Sequence, residues 1–519
     1  MEKVADKKKF RWNNSNWQNL ALFILIFLSL ALHVATINNP TDTVFDEYYY
    51  TADSYNITQN MGTERVEHTP VGKLFIAAGI MVFGNNPVGW RLPSILVGTF
   101  MLLIFYDICR RLNMKHKYAF LATMLLAFET TFFLHSAIAM LDIFMVFFSF
   151  VAFWLYLKGW FELCALAIAM SGLAKISGVL TGFPIVFHWL FTGFRQSIVQ
   201  IPEGTNYPLF KRLVIKYGEP ARFVLSMFLA PLSFILMMPI FDWVIWGHWI
   251  DPVAQIKNMG SMTTAIPFDA YLDPETGLYK APIPTRPWEW ILSPTGAFYF
   301  YGWLFNPEKY QICVLGYTSD PNYTCMLNPT TWLYSLALLP YGIYKWIKTK
   351  GSAFIFAVCW MVGTWAVWIP ISIMTDRSSF LFYFLPTVGA CCLIGALIIE
   401  ELIKHMNKTP SKTKQIIGKV ILLILIVGHL TAFCVLSPDK LYISIPISLI
   451  VFALTMDQLG FDLKLRYKDD DLIEEIENVE RQDETLTEPI VKDEYDILSM
   501  PESEFDFGAE FDNDSDCEI

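Results

Sequence analysis

Two adjacent carboxylates, Asp46 and Glu47, stand in Thr43-Val-Phe-Asp-Glu-Tyr-Tyr-Tyr50, just beyond an apolar run. Ionisable side chains at the edge of a membrane span are expensive to place and are functional candidates by default. Either carboxylate, ionised and within hydrogen-bond reach, can act as a general base toward a hydroxyl. The alternative is a solvated helix cap. His68 and Lys73 follow in Glu67-His-Thr-Pro-Val-Gly-Lys-Leu-Phe75, where Pro70 suits a first helical turn and the apolar stretch to Phe83 is too short to span. Lying along the interface as an amphipathic helix, this segment would hold His68 and Lys73 at headgroup depth, where a lipid phosphate sits. Snorkelling is the other reading of Lys73. Arg91, Asp142 and Lys175 lie at the rims of three further apolar runs, and mutual salt bridging is their alternative to chemistry. Arg286, in Pro284-Thr-Arg-Pro-Trp288, and Arg377, in Thr375-Asp-Arg-Ser-Ser379, add two more cations.

The elements that must position these residues are spans. Of the 519 residues, 54% are hydrophobic and only 17% charged, with 16% aromatic. A soluble domain carries about 25% charged residues, so a large soluble enzyme is excluded, as are a nucleic-acid binder, a collagen-like chain and a disulfide scaffold. With roughly 20 apolar residues needed per spanning helix, candidate spans fall near 20–37, 88–108, 118–135, 138–157, 160–175, 177–194, 223–241, 331–347, 352–373, 380–399, 419–437 and 441–457. The first reads as an uncleaved anchor, since no small-x-small cleavage site follows its long apolar run. Three parts result: a cytoplasmic N-terminus (1–18), a transmembrane domain (19–460) and an acidic cytoplasmic tail (461–519).

Lys and Arg cluster in the short loops 110–117, 195–222, 345–350 and 404–419, all of which fall in the cytoplasm when the N-terminus is inside. Loops 38–87 and 242–330 then lie outside. Both are rich in aromatics, Pro and carboxylates, so the chemistry is expected on the external face of the cell membrane. Residues 469–519 hold 21 acidic side chains against Arg481 and Lys492, and read as disordered. Of nine cysteines, only Cys313 and Cys325 share a polar loop, where an external disulfide could close. No His/Cys cluster has zinc-ligand spacing. A transporter or flippase would continue its charges into the cytoplasmic half of the spans, whereas here they gather outside.

Phe45-Asp-Glu47, the His-x-Pro-x-x-Lys-Leu stretch at 68–74, Trp90-Arg-Leu-Pro93, Met140-Leu-Asp142, Gly172-Leu-Ala-Lys175, Arg286-Pro-Trp288 and Arg377-Ser-Ser-Phe-Leu-Phe-Tyr-Phe-Leu-Pro386 occur in that order. As an ordered set this resembles the protein O-mannosyltransferases. Thr69 stands where that family has Pro, Ala137 stands near its frequent Arg, and no segment is suited to the β-trefoil domain of the eukaryotic enzymes, so the chain looks like a prokaryotic relative. The resemblance implies an all-α polytopic GT-C glycosyltransferase with about 11–12 transmembrane helices and interfacial helices in the first external loop. It implies inverting transfer of mannose, or a related sugar, from a polyprenyl or dolichyl phosphate to Ser/Thr of exported proteins. The same chemistry on a lipid-linked glycan or a lipid is the alternative. Asp46 would be the base, with Glu47 and Asp142 as further catalytic carboxylates. His68, Lys73, Arg91 and Lys175 would face the donor phosphate, and Arg286 and Arg377 would contact substrate. No nucleotide, metal or other cofactor is required on this reading, although a divalent cation is compatible with it. The partners are the lipid donor, the acceptor, membrane lipid and, as one option, a second copy in a dimer.

Overall fold

The computed structural model describes residues 14–193, 209–264, 267–271, 284–292, 327–436 and 441–461. Cys313, Cys325, the acidic tail and most of segment 242–330 lie outside them. Within the described residues the architecture is helical, with one isolated antiparallel bridge between Pro267 and Arg377. In chain order the helices are α1 (Asn14–Thr36), α2 (Glu47–Thr58), α3 (Pro70–Phe83), α4 (Pro87–Arg111), α5 (His116–Ala127), α6 (Thr130–Ala137), α7 (Leu141–Leu157), α8 (Phe161–Ala174), α9 (Gly182–His188), α10 (Leu209–Trp246), α11 (Pro252–Thr264), α12 (Pro329–Thr349), α13 (Ser352–Met361), α14 (Trp368–Thr375), α15 (Leu385–Lys408), α16 (Lys412–Leu436) and α17 (Leu441–Gln458). A single turn also forms at Glu289–Leu292.

Seven of these stretches are long and apolar enough to cross a membrane, or eight if α5 and α6, bent by 62° at Phe128-Glu129, count as one broken span. The other expected spans are helices too, but α12, at the span expected over 331–347, is 21 residues long without being among the seven, and α7, α8 and the apolar part of α17 are only 14–17 residues long. At 1.5 Å rise per residue, a helix of that length reaches at most about 26 Å. A contiguous apolar run can therefore mark a helix enclosed by its neighbours as well as one facing lipid. The seventh expected span also continues to Trp246, beyond its expected end at residue 241.

Local sequence sets the helix starts that shape the site. Asn86 accepts from the amides of Val88 and Gly89 (3.0 and 3.2 Å) ahead of α4, with Pro87 in the first turn. Pro70 opens α3 in the same way. The bend at Phe128-Glu129 turns on Glu129, which accepts from Phe132 N (2.8 Å) to start α6 and from Asn328 N (3.0 Å) next to α12. The core is aromatic where α4, α7 and α13 meet: Phe105, Phe150, Phe153, Phe356 and Trp360 pack with ring centroids 4.7–6.4 Å apart. Gly389 lets α15 approach this cluster, since a Cβ there would come within 2.7 Å of Trp360.

Candidate functional site

Segment 37–46, α2, α3, the starts of α4, α7 and the 176–181 turn, and the loop after α14 carry the charged residues singled out in the sequence. Two kinds of setting separate them.

Glu47 and Arg91 are both buried and form a bidentate pair: Arg91 Nε and Nη2 donate to the two Glu47 oxygens at 2.9 and 2.8 Å. Glu47 also accepts from Val44 N (2.9 Å) and Ala139 N (2.8 Å). Arg91 further donates to the carbonyls of Ile37 (3.0 Å), Pro40 (2.6 Å) and Asp42 (2.9 Å). The fork geometry of guanidinium and carboxylate is thus consumed in lacing segment 37–47 to α4 and to the residues preceding α7. Lys73 is likewise enclosed, 2.8 Å from Asp53 and donating to Thr63 Oγ1 (2.6 Å) and to the Arg65 carbonyl. Asp53 also accepts from the Thr63 hydroxyl and from the amides of Glu64 (2.9 Å) and Arg65 (3.2 Å), which ties the 59–69 loop to α2 and α3. Burial alone would raise the Asp53 carboxyl, but the Lys73 ammonium outweighs it and holds Asp53 below its usual range.

Asp46 has a different setting. It is partly exposed and starts α2 without using its side chain as a cap. Burial pushes its carboxyl up to about 6, reinforced by the nearby Asp142 carboxylate, against the pull of Lys175 and a hydrogen bond from the Tyr50 hydroxyl. Tyr50 itself, raised well above the usual phenol range by burial and then by Asp46 and Asp142, stays protonated as that donor. Phe45, just before Asp46, is held at φ +53°, and Asp376, just before Arg377, at φ +47°. Left-handed conformations at non-glycine residues cost of order 1 kcal/mol or more and persist where surrounding structure fixes them.

Lys175 donates to both Asp142 oxygens at 2.8 Å and sits 5.3 Å from the ring centres of Phe382 and Tyr383. Phe382 in turn meets Phe45 edge-on at 5.7 Å, so the loop after α14 closes on the segment that carries Asp46. His68 packs edge-on against Tyr50 at 5.2 Å. Burial, and then the charges of Lys73, Lys175, Arg377 and Arg65 around it, hold the His68 ring well below its usual range and hence neutral. Arg377 lies in this group with its Nε buried and without a hydrogen-bond partner among the described residues; Glu67 Oε2 is in the same condition. Buried polar atoms are rarely left unpaired, and here two of them border a cluster of cations. Arg286 stands apart, with Nη2 2.5 Å from Asp376, Nη1 3.2 Å from Ser372 Oγ and the guanidinium 3.8 Å over Phe268. A small cleft opens beside Asp142 and Tyr383, walled by Met145, Ser177, Leu180, Thr181, Thr364, Trp368 and Pro386. Among the described residues no group of three or more His, Cys, Asp or Glu is placed to hold a metal ion.

The structure therefore brings Asp46, Asp142, His68, Lys175 and Arg377 together, and places Glu47, Arg91 and Lys73 in closed networks beside them. Tyr50, Asp53 and Phe382 are site members that residue type alone did not mark. Tyr50 had a signal in the tyrosine run after Asp46, and Phe382 in the motif that starts at Arg377; Asp53 had none.

Residues 67–203 match the family model described as dolichyl-phosphate-mannose-protein mannosyltransferase. A polyprenol-phosphate-mannose–protein mannosyltransferase of Corynebacterium glutamicum is 23% identical over 506 aligned positions, which cover 84% of this chain and 94% of that protein. A protein of the same description from Mycolicibacterium smegmatis is 31% identical over 139 positions, 25% of this chain and 27% of that one. Among solved structures, the S. cerevisiae protein O-mannosyltransferase Pmt1-Pmt2 complex bound to the sugar donor superposes with a TM-score of 0.49 at 11% identity, over 80% of this chain and 89% of that chain.

Proposed function

We propose that the chain is a membrane glycosyltransferase of the dolichyl-phosphate-mannose–protein mannosyltransferase family, whose model matches residues 67–203, and that it transfers mannose, with inversion, from a polyprenyl phosphate to Ser/Thr hydroxyls of exported protein at the outer face of the membrane. The observation that carries the reading is the division between neighbours: Glu47 has both oxygens filled, while Asp46 is partly exposed with its carboxyl raised toward neutrality. A base must be free to take a proton and have a pKa near the working pH.

In this reading the acceptor hydroxyl gives its proton to Asp46 as its oxygen attacks C1 of the sugar, and the C1–O bond to the phosphate breaks on the opposite face. Lys175 and Arg377 meet the charge that grows on the leaving phosphate, and neutral His68 contributes an N–H. Fixed donors aimed at developing charge in a site shielded from water give a large stabilisation of the transition state. Asp142 fixes Lys175 through two equal contacts. Arg91 and Lys73 act through position: the first sets segment 37–47 and so Asp46, the second sets the loop that carries His68. Arg286 orients the Arg377 turn through Asp376.

The test is transfer by the purified protein in detergent, from polyprenyl-phosphate mannose to a Ser/Thr-rich peptide. A hexose added to a hydroxyl, with the anomer opposite to the donor's, is expected. Retention would remove the single-displacement role of Asp46. Labelling of a lipid-linked glycan in preference to the peptide would reassign the acceptor.

A further inference from the structure

His135 is fully buried in α6, and its environment leaves one ring nitrogen unaccounted for. Nδ1 lies 2.8 Å from the Thr131 carbonyl, which can only accept, so Nδ1 carries the proton. In the neutral ring Nε2 is then a bare acceptor, and it has no hydrogen-bond partner among the described residues. The ring cannot easily turn away. Glu129 caps the start of α6, Ser136 is seated against Gly98 of α4, where a Cβ would come within 2.4 Å of its Oγ, and Ala139 N is held by Glu47 just beyond the helix. The ring faces Phe382, 6.1 Å away between centroids, and is within electrostatic reach of Asp142 and Lys175. A fixed, unpaired acceptor beside an aromatic ring and a carboxylate has the composition of a sugar-hydroxyl site, and its burial suits a group delivered on a lipid from within the site better than a polypeptide arriving from outside.

We propose that His135 is a binding residue of the donor subsite: when the donor binds, Nε2 accepts a hydrogen bond from one hydroxyl of the transferred sugar. This rests on the glycosyl-donor reading above. It is tested by a cycle between His135→Leu or His135→Gln and mannosyl donors lacking one hydroxyl at a time. The parent protein should lose about 10- to 100-fold in kcat/KM with a single one of the deoxy donors, because the buried acceptor is left unpaired. His135→Leu should show a similar loss with the full donor and no further loss with that deoxy donor, while acceptor KM stays constant. His135→Gln, which keeps a carbonyl acceptor, should recover part of the discrimination. Equal penalties for every deoxy donor in parent and His135→Leu would make His135 a core residue and overturn the proposal. If His135→Leu does not fold, the Nε2 resonance of ¹⁵N-histidine-labelled parent protein decides: a shift toward the hydrogen-bonded range on adding donor alone supports the proposal, and an unchanged bare-acceptor signal refutes it. Inactivity of the parent with the undeleted donor would instead count against the transferase reading, so the two failures are distinct.

Discussion

Glu47 is enclosed, with four donors on its two oxygens, whereas Asp46, one residue earlier, is partly open and shares its surroundings with Asp142, Lys175 and Tyr50. The same contrast separates Lys73, sealed against Asp53, from Arg377, whose Nε lacks a partner among the described residues. One region is a set of saturated ion pairs whose work is to hold segments 37–47 and 59–69 in place. The other keeps capacity: Asp46 is partly open, Arg377 Nε lacks a partner among the described residues, and Lys175, although paired with Asp142, has a third N–H beyond its two contacts there. A buried charge already matched to its partner has little to offer a ligand, because engaging the ligand would mean giving up a desolvated pair. On the proposed mechanism, residual capacity, more than residue type, separates Asp46 from Glu47.

The comparison breaks most visibly in stability. Arg91→Leu leaves Glu47 buried and unpaired and should destabilise the protein by about 3–5 kcal/mol, read as a large fall in thermal midpoint in detergent. A folded, equally stable Arg91→Leu protein that has lost only donor affinity would move Arg91 into the phosphate site. Lys73→Met should behave in the same way through Asp53, with the 59–69 loop becoming the first protease-sensitive segment. Arg377→Gln should do the reverse: a thermal midpoint close to that of the parent, and a donor KM raised about 10- to 100-fold for the loss of charge-assisted contacts worth about 1.5–3 kcal/mol.

Acidity separates the two regions as well. Transfer should rise about tenfold from pH 5 to pH 7 as Asp46, with its carboxyl near 6, becomes ionised. The stability effect has the opposite sign. The folded state holds the Asp46 proton more tightly than the unfolded chain does, so the stability Asp46 contributes is present at low pH and lost as pH rises from about 4 through 6. Asp46→Asn should therefore match or exceed the parent's thermal midpoint at pH 8, a small effect but one with a definite sign. A lower midpoint there would mean that ionised Asp46 stabilises the fold, as Glu47 does.

The helical, membrane-embedded fold was legible in the sequence because apolar runs of span length have few other uses. Their number was not, since α8 is as apolar as a span yet only 14 residues long. Asp46, Asp142 and Lys175 could be recognised as site candidates from ionisable groups at span ends. The pairing of Glu47 with Arg91 could not, because the partners are 44 positions apart and carry no pattern that links them. Asp53 was hidden within a polar helix, and His135 in an apolar run reads as a core histidine until its empty nitrogen is seen. Sequence reports which charges exist; which of them are already spent depends on tertiary contacts.

The most direct measurement is the single-turnover rate of Asp46→Asn beside that of the parent, with polyprenyl-phosphate mannose and a Ser/Thr peptide, on protein whose thermal midpoint has been checked in the same detergent. The account predicts a rate lower by about 10²- to 10⁴-fold with the midpoint preserved. A rate near the parent's, from equally folded protein, would contradict it and give the proton to another carboxylate, Asp142 first.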